Sequence, residues 1–147
     1  VLRTDQAHVV PLTDDLRFLE QYLAIEQVRF PDRLRVTWSI DDRARNALVP
    51  GFLLQPLVEN AIRHGVARRA DAGRIEISAS IVDGTLHLSV RDDGAGLHER
   101  TAEGVGLSNT RERLHTLYGD AARLTLQTPV GGGTEAIIEL PFREASA

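Results

Sequence analysis

Apolar side chains take alternate positions from Ile75 to Ile81 and again from Leu86 to Val90, and Asp83-Gly84 stands between the two runs. A period of two is the signature of a strand that buries one face. An Asp-Gly pair supplies the positive φ angles that a two-residue hairpin turn requires. The chain therefore contains an antiparallel ribbon with one apolar face. Something else in the sequence must cover that face.

Helical stretches are available to do so. Leu12, Leu16, Leu19, Leu23 and Phe30 fall in nearly 4-3-4 spacing, which predicts an amphipathic helix over residues 12–30. Thr13 or Asp14 is placed to cap its start, and Pro31 stops it. Phe18, Tyr22 and Ile25 widen its apolar stripe, which must pack on the body of the domain or on a partner helix. Leu34–Ile40 alternates like a half-buried strand. Pro50 stands near the start of a second helix running to about Val66, with Phe52, Leu53, Leu57, Val58, Ala61 and Ile62 as its buried face. Pro56 inside that stretch predicts a kink or a late start. A basic, polar loop follows over 67–73.

Beyond the hairpin comes glycine-rich sequence from Gly94 to Gly106, then a helix over about Leu107–Tyr118 that ends at Gly119. Two last strands, near Leu124–Gln127 and Thr134–Leu140, flank Gly131–Gly133. This order predicts an α/β (α+β) sandwich: a mixed, mostly antiparallel sheet covered on one face by helices.

Composition narrows the function. The 147 residues suit one domain, and 42% hydrophobic content supports a core. No cysteine is present, so disulfides and thiolate metal sites are excluded. The 17 basic residues are all arginine, which excludes lysine-dependent chemistry, and the net charge of −4 gives no reason to expect nucleic acid. No apolar run reaches the roughly 20 residues needed to span a bilayer, and no signal peptide is visible. Because the chain starts at Val1 and soon enters helical sequence, it reads as a soluble fragment of something longer.

Three separated motifs carry candidate chemistry. Asn60, Arg63 and His64, in Glu59-Asn60-Ala-Ile-Arg63-His64-Gly65, are spaced three and four apart on the second helix. An amide oxygen is a hard ligand suited to Mg²⁺, and a neighbouring arginine can pair with phosphate; a solvated polar helix face would look the same. Asp92-Asp93-Gly94-Ala-Gly96 closes a strand, putting a carboxylate where an amino group could donate to it, although a plain turn also favours Asp-Asp-Gly. Gly104-Val-Gly106-Leu107-Ser-Asn109 precedes a helix whose start would offer unpaired N–H groups to an anion; an ordinary glycine loop is the alternative. It lacks the Gly-Lys-Ser/Thr ending of a P-loop and the βαβ setting of a dinucleotide fingerprint.

Together and in this order, the motifs resemble the catalytic domain of sensor histidine kinases, within the larger GHKL group that includes gyrase and the MutL repair proteins. Leu54–Gly65 resembles the family's N box, Asp92-x-Gly94-x-Gly96 its first glycine box, and Gly104-x-Gly106-Leu107-x-Asn109 the second. Gly131-Gly-Gly133-Thr134 resembles the last. Leu16…Glu20-x-Tyr22-Leu23-x-Ile25-Glu26-x-x-Arg29-Phe30 is similar to the LytS-type subfamily, where it ends the helical hairpin ahead of the catalytic domain.

The resemblance implies a Bergerat-type ATP-binding fold. Residues 1–31 would be the end of the dimerisation and phosphoacceptor helical region with its linker, and 32–147 the catalytic domain. Asp92 would accept the adenine amino group, with Gly94, Gly96 and Thr134 lining the base. Asn60 would hold Mg²⁺, Arg63 and His64 would sit by the triphosphate, and Gly104, Gly106, Leu107 and Asn109 would close over phosphate, with Leu97–Glu103 as a mobile lid. Glu59 would orient or accept the proton of an incoming histidine, or else be solvent-facing helix charge. The hydrolysing relatives place a glutamate four residues before the metal asparagine, where this chain has Pro56.

The implied reaction is transfer of the ATP γ-phosphoryl to a histidine on an upstream domain. None of His8, His64, His87, His98 and His115 sits in a Pro-His-Phe-type acceptor motif, so the fragment is expected not to phosphorylate itself. The implied partners are ATP, the upstream histidine domain and a response regulator. The parent is implied to be a homodimer anchored in the cell membrane, with this part in the cytoplasm. A competing reading is a nucleotide-responsive dimerisation module, a pseudokinase, without transfer activity.

Overall fold

A computed structural model of the protein describes residues 9–66, 73–94 and 105–144. The chain opens with a three-residue strand, β1 (Val9–Pro11), followed by helix α1 (Leu12–Arg29) and strand β2 (Leu34–Ile40). A 3₁₀ turn (Asp42–Asn46) leads to β3 (Leu48–Pro50) and then to helix α2 (Gln55–Ala61), which continues as a π turn over Ile62–Val66. The hairpin is β4 (Gly73–Val82) and β5 (Thr85–Asp92); helix α3 (Val105–Tyr118) and strands β6 (Arg123–Gln127) and β7 (Thr134–Pro141) complete it.

Five strands form one sheet in the order β2-β4-β5-β7-β6, and β1 pairs with β3 in a separate two-stranded ribbon. Only β2 and β4 run parallel; the other three pairs in the large sheet are antiparallel. Asp83 and Gly84 take φ of 50° and 78°, the positive pair that the hairpin turn demands. The expected sandwich is present, with a mostly antiparallel sheet.

Alternation decides the faces. Ile75, Ile77 and Ala79 on β4, Leu86, Leu88 and Val90 on β5, and Ala136, Ile138 and Leu140 on β7 are all buried. They belong to one core with Leu12, Leu16, Leu19 and Leu23 of α1, Leu57 and Val58 of α2, and Leu107 and Leu114 of α3. The opposite face carries polar pairs, such as the 2.9 Å bond between the Ser78 and Ser89 hydroxyls and Arg123 Nε donating to Glu139 Oε1 at 2.7 Å.

Three local expectations need correction. Neither Thr13 nor Asp14 caps α1: Leu12 N–H donates to Ala47 O at 2.7 Å, while Thr13 Oγ1 donates to Arg45 O. Pro50 ends a strand, and α2 begins only at Gln55 with Pro56 in its first turn, where a missing N–H costs nothing. Phe52 is 58% exposed and not on the buried face, because it lies before the helix in a left-handed conformation with φ of 59°. Among the described residues, no helix is long and apolar enough to cross a membrane.

Candidate functional site

Asp92 is the last residue of the central strand β5, and alternation from Leu88 and Val90 puts it on the helix-covered face, 3% exposed. A carboxylate at that depth must be hydrogen-bonded or it would not stay charged. Gly94 N–H donates to its Oδ1 at 2.9 Å. Thr134, equally buried, is its register partner on β7. Gly133 presses on the same place: a Cβ there would lie 2.0 Å from Asp92 O, and its φ is +83°. Only glycine lets the chain enter β7 this close to Asp92. Asp93 faces the other way, accepting Arg74 N–H at 2.9 Å, which ties β5 to the start of β4.

Helix α2 packs over β5 and brings Asn60, 9% exposed, into the layer between helix and sheet. Asp92 faces the same layer. The two motifs that sequence keeps 32 positions apart are therefore on one side of the sheet. The i, i+3, i+4 expectation holds less well for the rest of the motif. Past Ala61 the helix widens into a π turn, with Ile62 N–H shared between Glu59 O and Val58 O. Such turns re-aim side chains and occur often at functional sites. Arg63 is exposed and joins Glu59, Tyr22, Glu26 and Arg29 around an open cleft of about 330 Å³ between α2 and α1. Glu59 accepts a 3.0 Å bond from Gln55 Nε2.

Helix α3 contributes the third motif. Leu107 is buried, whereas Gly106 and Asn109 are exposed at its first turn. A Cβ on Gly106 would come 3.4 Å from Pro56 Cβ, so the starts of α3 and α2 nearly touch. Thr110 Oγ1 donates to Gly106 O at 2.8 Å and steadies that turn. Gly96, Gly104 and the expected lid Leu97–Glu103 lie outside the described residues. Of the histidines, His115 is exposed on α3, and His87 Nδ1 lies 3.5 Å from Glu139 Oε2 on the polar face of the sheet.

A group with no expected role adjoins the site. Asp15 of α1, 3% exposed, accepts backbone N–H bonds from Phe52 (2.7 Å), Leu53 (3.1 Å) and Leu54 (3.3 Å) ahead of α2. Burial pushes its carboxyl above the ordinary value of 3.8, against the lowering effect of those three bonds and of the Arg113 charge. A signal for it was available. A charge at position 15 lies on the Leu12–Leu16–Leu19 stripe, and a charge on an apolar stripe is a buried charge that needs partners.

Among the described residues, no group of three or more His, Asp or Glu side chains could hold a metal. Mg²⁺ carried by phosphates needs only one or two protein oxygens, and the buried Asn60 amide fits such a role.

The model of histidine kinase-, DNA gyrase B-, and HSP90-like ATPases matches residues 50–144, which span α2, Asp92, the start of α3 and Thr134. The chain belongs to this ATPase family. It is 34% identical over 146 residues to the sensor protein LytS of Bacillus anthracis, covering 90% of this chain and 25% of that protein. It is 35% identical over 137 residues to the sensor histidine kinase BtsS of Escherichia coli (strain K12), covering 92% and 24%. The histidine kinase domain of the blue-light activated histidine kinase from Erythrobacter litoralis EL346 matches with a TM-score of 0.67 at 26% identity, over 90% of this chain and 61% of that one. The chain spans about a quarter of the length of the curated relatives it matches.

Proposed function

We propose that this chain is the ATP-binding catalytic domain of a two-component sensor histidine kinase, passing the γ-phosphoryl of ATP to a histidine on an upstream helical domain. The observation that carries the reading is Asp92: a carboxylate buried on the helix-covered face, backed by Gly133 and Thr134, opposite the helix that bears Asn60. A buried acceptor at a strand end suits an exocyclic amino group, and the glycines around it let a flat base approach the backbone.

In this reading Asp92 accepts from the adenine amino group, and Gly94, Gly96 and Thr134 line the base. His64 lies along the phosphates, Arg63 adds positive charge from the cleft against α1, and Gly104, Gly106, Leu107 and Asn109 cover the phosphates from the N-terminus of α3, where N–H groups favour anions. Asn60 would be the protein ligand of Mg²⁺, which when bound neutralises phosphate charge. Glu59, held by Gln55, orients the incoming imidazole. The transfer forms a P–N bond to the histidine and breaks the bond to the ADP oxygen, and it depends on positioning and charge rather than on a covalent enzyme intermediate. Pro56, where hydrolysing relatives carry glutamate, has no proton acceptor with which to activate water.

Residues 1–31 lead in from the dimerisation and phosphoacceptor region. The acceptor domain, a response regulator and a second copy of the parent are the protein partners. The domain works on the cytoplasmic side of a membrane-anchored parent, and no nucleic acid is involved.

The test is titration with a fluorescent ATP analogue, with and without Mg²⁺. Asp92→Ala should keep the fold and weaken binding by about 1–3 kcal/mol, the usual cost of removing one partner of a buried polar group. Asn60→Ala should remove the Mg²⁺ dependence. Unchanged affinity in Asp92→Ala would remove the adenine contact and the reading with it. Transfer of label from γ-labelled ATP to a separately supplied upstream domain tests the kinase step.

A further inference from the structure

Asp15 and Asp92 are the two most buried carboxylates among the described residues, yet only Asp92 is in the nucleotide site. Asp15 comes from α1 and spends both its oxygens on another part of the chain. Oδ1 accepts from Phe52 N–H, and Oδ2 accepts from Leu53 and Leu54 N–H. Leu54 is the cap position of α2 and has no capping side chain of its own. The carboxylate thus serves α2 as a cap delivered from a different helix.

The same segment, from Gly51 on, is held by further contacts. Arg113 of α3 donates from Nη1 to Gly51 O at 2.6 Å. Phe52 is kept at φ of 59°, and its ring meets Phe18 of α1 edge-on with centroids 4.8 Å apart. A non-glycine residue holds that conformation only where its surroundings over-determine it. Residues 51–54 are therefore a junction of three helices. One is α1; the second, α2, carries Asn60 six residues after Leu54; the third, α3, reaches Gly51 through Arg113 and carries Gly106 and Leu107 in its first turn.

We propose that Asp15 is a positioning residue that couples the placement of α1 to nucleotide binding, acting through residues 51–54 on the Asn60 helix. The inference rests on the nucleotide-site reading above and adds a route to it. Displacement of α1 relative to the sheet would draw the carboxylate away from three N–H groups at once and free the start of α2. By linkage, a nucleotide that orders α2 must tighten the grip of the junction on α1 to the same extent.

The test uses the whole 147-residue chain and a non-hydrolysable ATP analogue with Mg²⁺. Asp15→Asn keeps the side-chain volume and one acceptor oxygen; Arg113→Gln loosens the same segment from the other side. At a temperature where circular dichroism shows native and variant chains fully folded, each should bind about five- to tenfold more weakly than the native chain. Hydrogen exchange gives a readout that a merely structural role would not move. In the native chain the nucleotide should slow exchange at the amides of Phe52, Leu53 and Leu54, and in Asp15→Asn that slowing should vanish. Native affinity in Asp15→Asn, or weakened binding with the slowing intact, would overturn the proposal. Failure of the native chain itself to bind the analogue would instead remove the nucleotide-site reading, and the coupling would fall with it.

Discussion

Gly132 and Gly133 are neighbours with φ of 96° and 83°, so both are costly places for a side chain, but their surroundings differ. Nothing lies within 4 Å of a Cβ on Gly132, whereas one on Gly133 would meet Asp92 O at 2.0 Å. Gly132→Ala should therefore cost about 1 kcal/mol of backbone strain. Gly133→Ala should cost about 3 kcal/mol or more, because β7 must separate from β5 to accept it, and nucleotide binding should fall with it. Urea denaturation of the two variants reads the difference directly; equal losses would mean that the approach to Asp92 is not close. Asp15 makes a second prediction at this scale. Its folded-state pKa lies above 3.8 because burial outweighs the three backbone bonds and Arg113. The folded chain then binds more protons than the unfolded one between those two values, so this group's stabilisation is complete below about pH 3.8 and fades as pH rises through the folded value. Denaturation midpoints of the native chain, minus those of Asp15→Asn, should decline over that interval. A flat difference would mean that the carboxyl titrates as in the unfolded chain.

Helix α1 shows how far an element can be read from its pattern. Leu19 is 1% exposed and Ile25 is 67% exposed, although both belong to the apolar positions that the sequence offers. Leu19→Ala should destabilise the domain by about 2–4 kcal/mol through lost burial and a cavity, while Ile25→Ala should stay within about 0.5 kcal/mol. Thermal melts that gave similar shifts would mean that α1 is not packed on the sheet as described. The 4-3-4 leucines and the alternating strands were legible because each repeats a period over five or more residues, and Asp83-Gly84 because one turn type demands it. Three-residue β1 and β3 have no room for a period, so Pro50 reads as a helix start when it is a strand end. The π turn at Ile62–Val66 has no sequence signature of its own, so regular helical spacing puts the side chains around Asn60 on one common face. Arg63 shows the consequence: it lies beside Glu59 in the cleft against α1. The family was legible, in the motifs that hold Asn60, Asp92 and the glycines. The junction was not, because Asp15 meets residues 37 to 39 positions away and local pattern carries no such information.

At the scale of the whole molecule, the family match and the physical unit have different edges. The match begins at residue 50, but the core that supports Asp92 and Asn60 begins at Leu12. Leu12, Leu16, Leu19 and Leu23 share that core with α2 and the sheet, and the parallel edge strand β2 bonds to β4 along Leu34–Ile40. Without residues before 50, β4 would become an exposed edge, three N–H groups ahead of α2 would lose the Asp15 carboxylate that accepts from them, and the apolar face beneath α1 would meet water. Domain stability is a small difference between large terms, typically about 5–15 kcal/mol. Four buried leucines at about 2 kcal/mol each amount to a loss of that whole size. A chain of residues 50–144 should therefore lack a cooperative thermal transition and bind no nucleotide, while one of residues 9–144 should melt cooperatively and bind like the full chain. Calorimetry on the two decides it. A cooperative melt from 50–144 would show that α1 lies on a domain already complete without it, and would take from Asp15 its hold on the Asn60 helix.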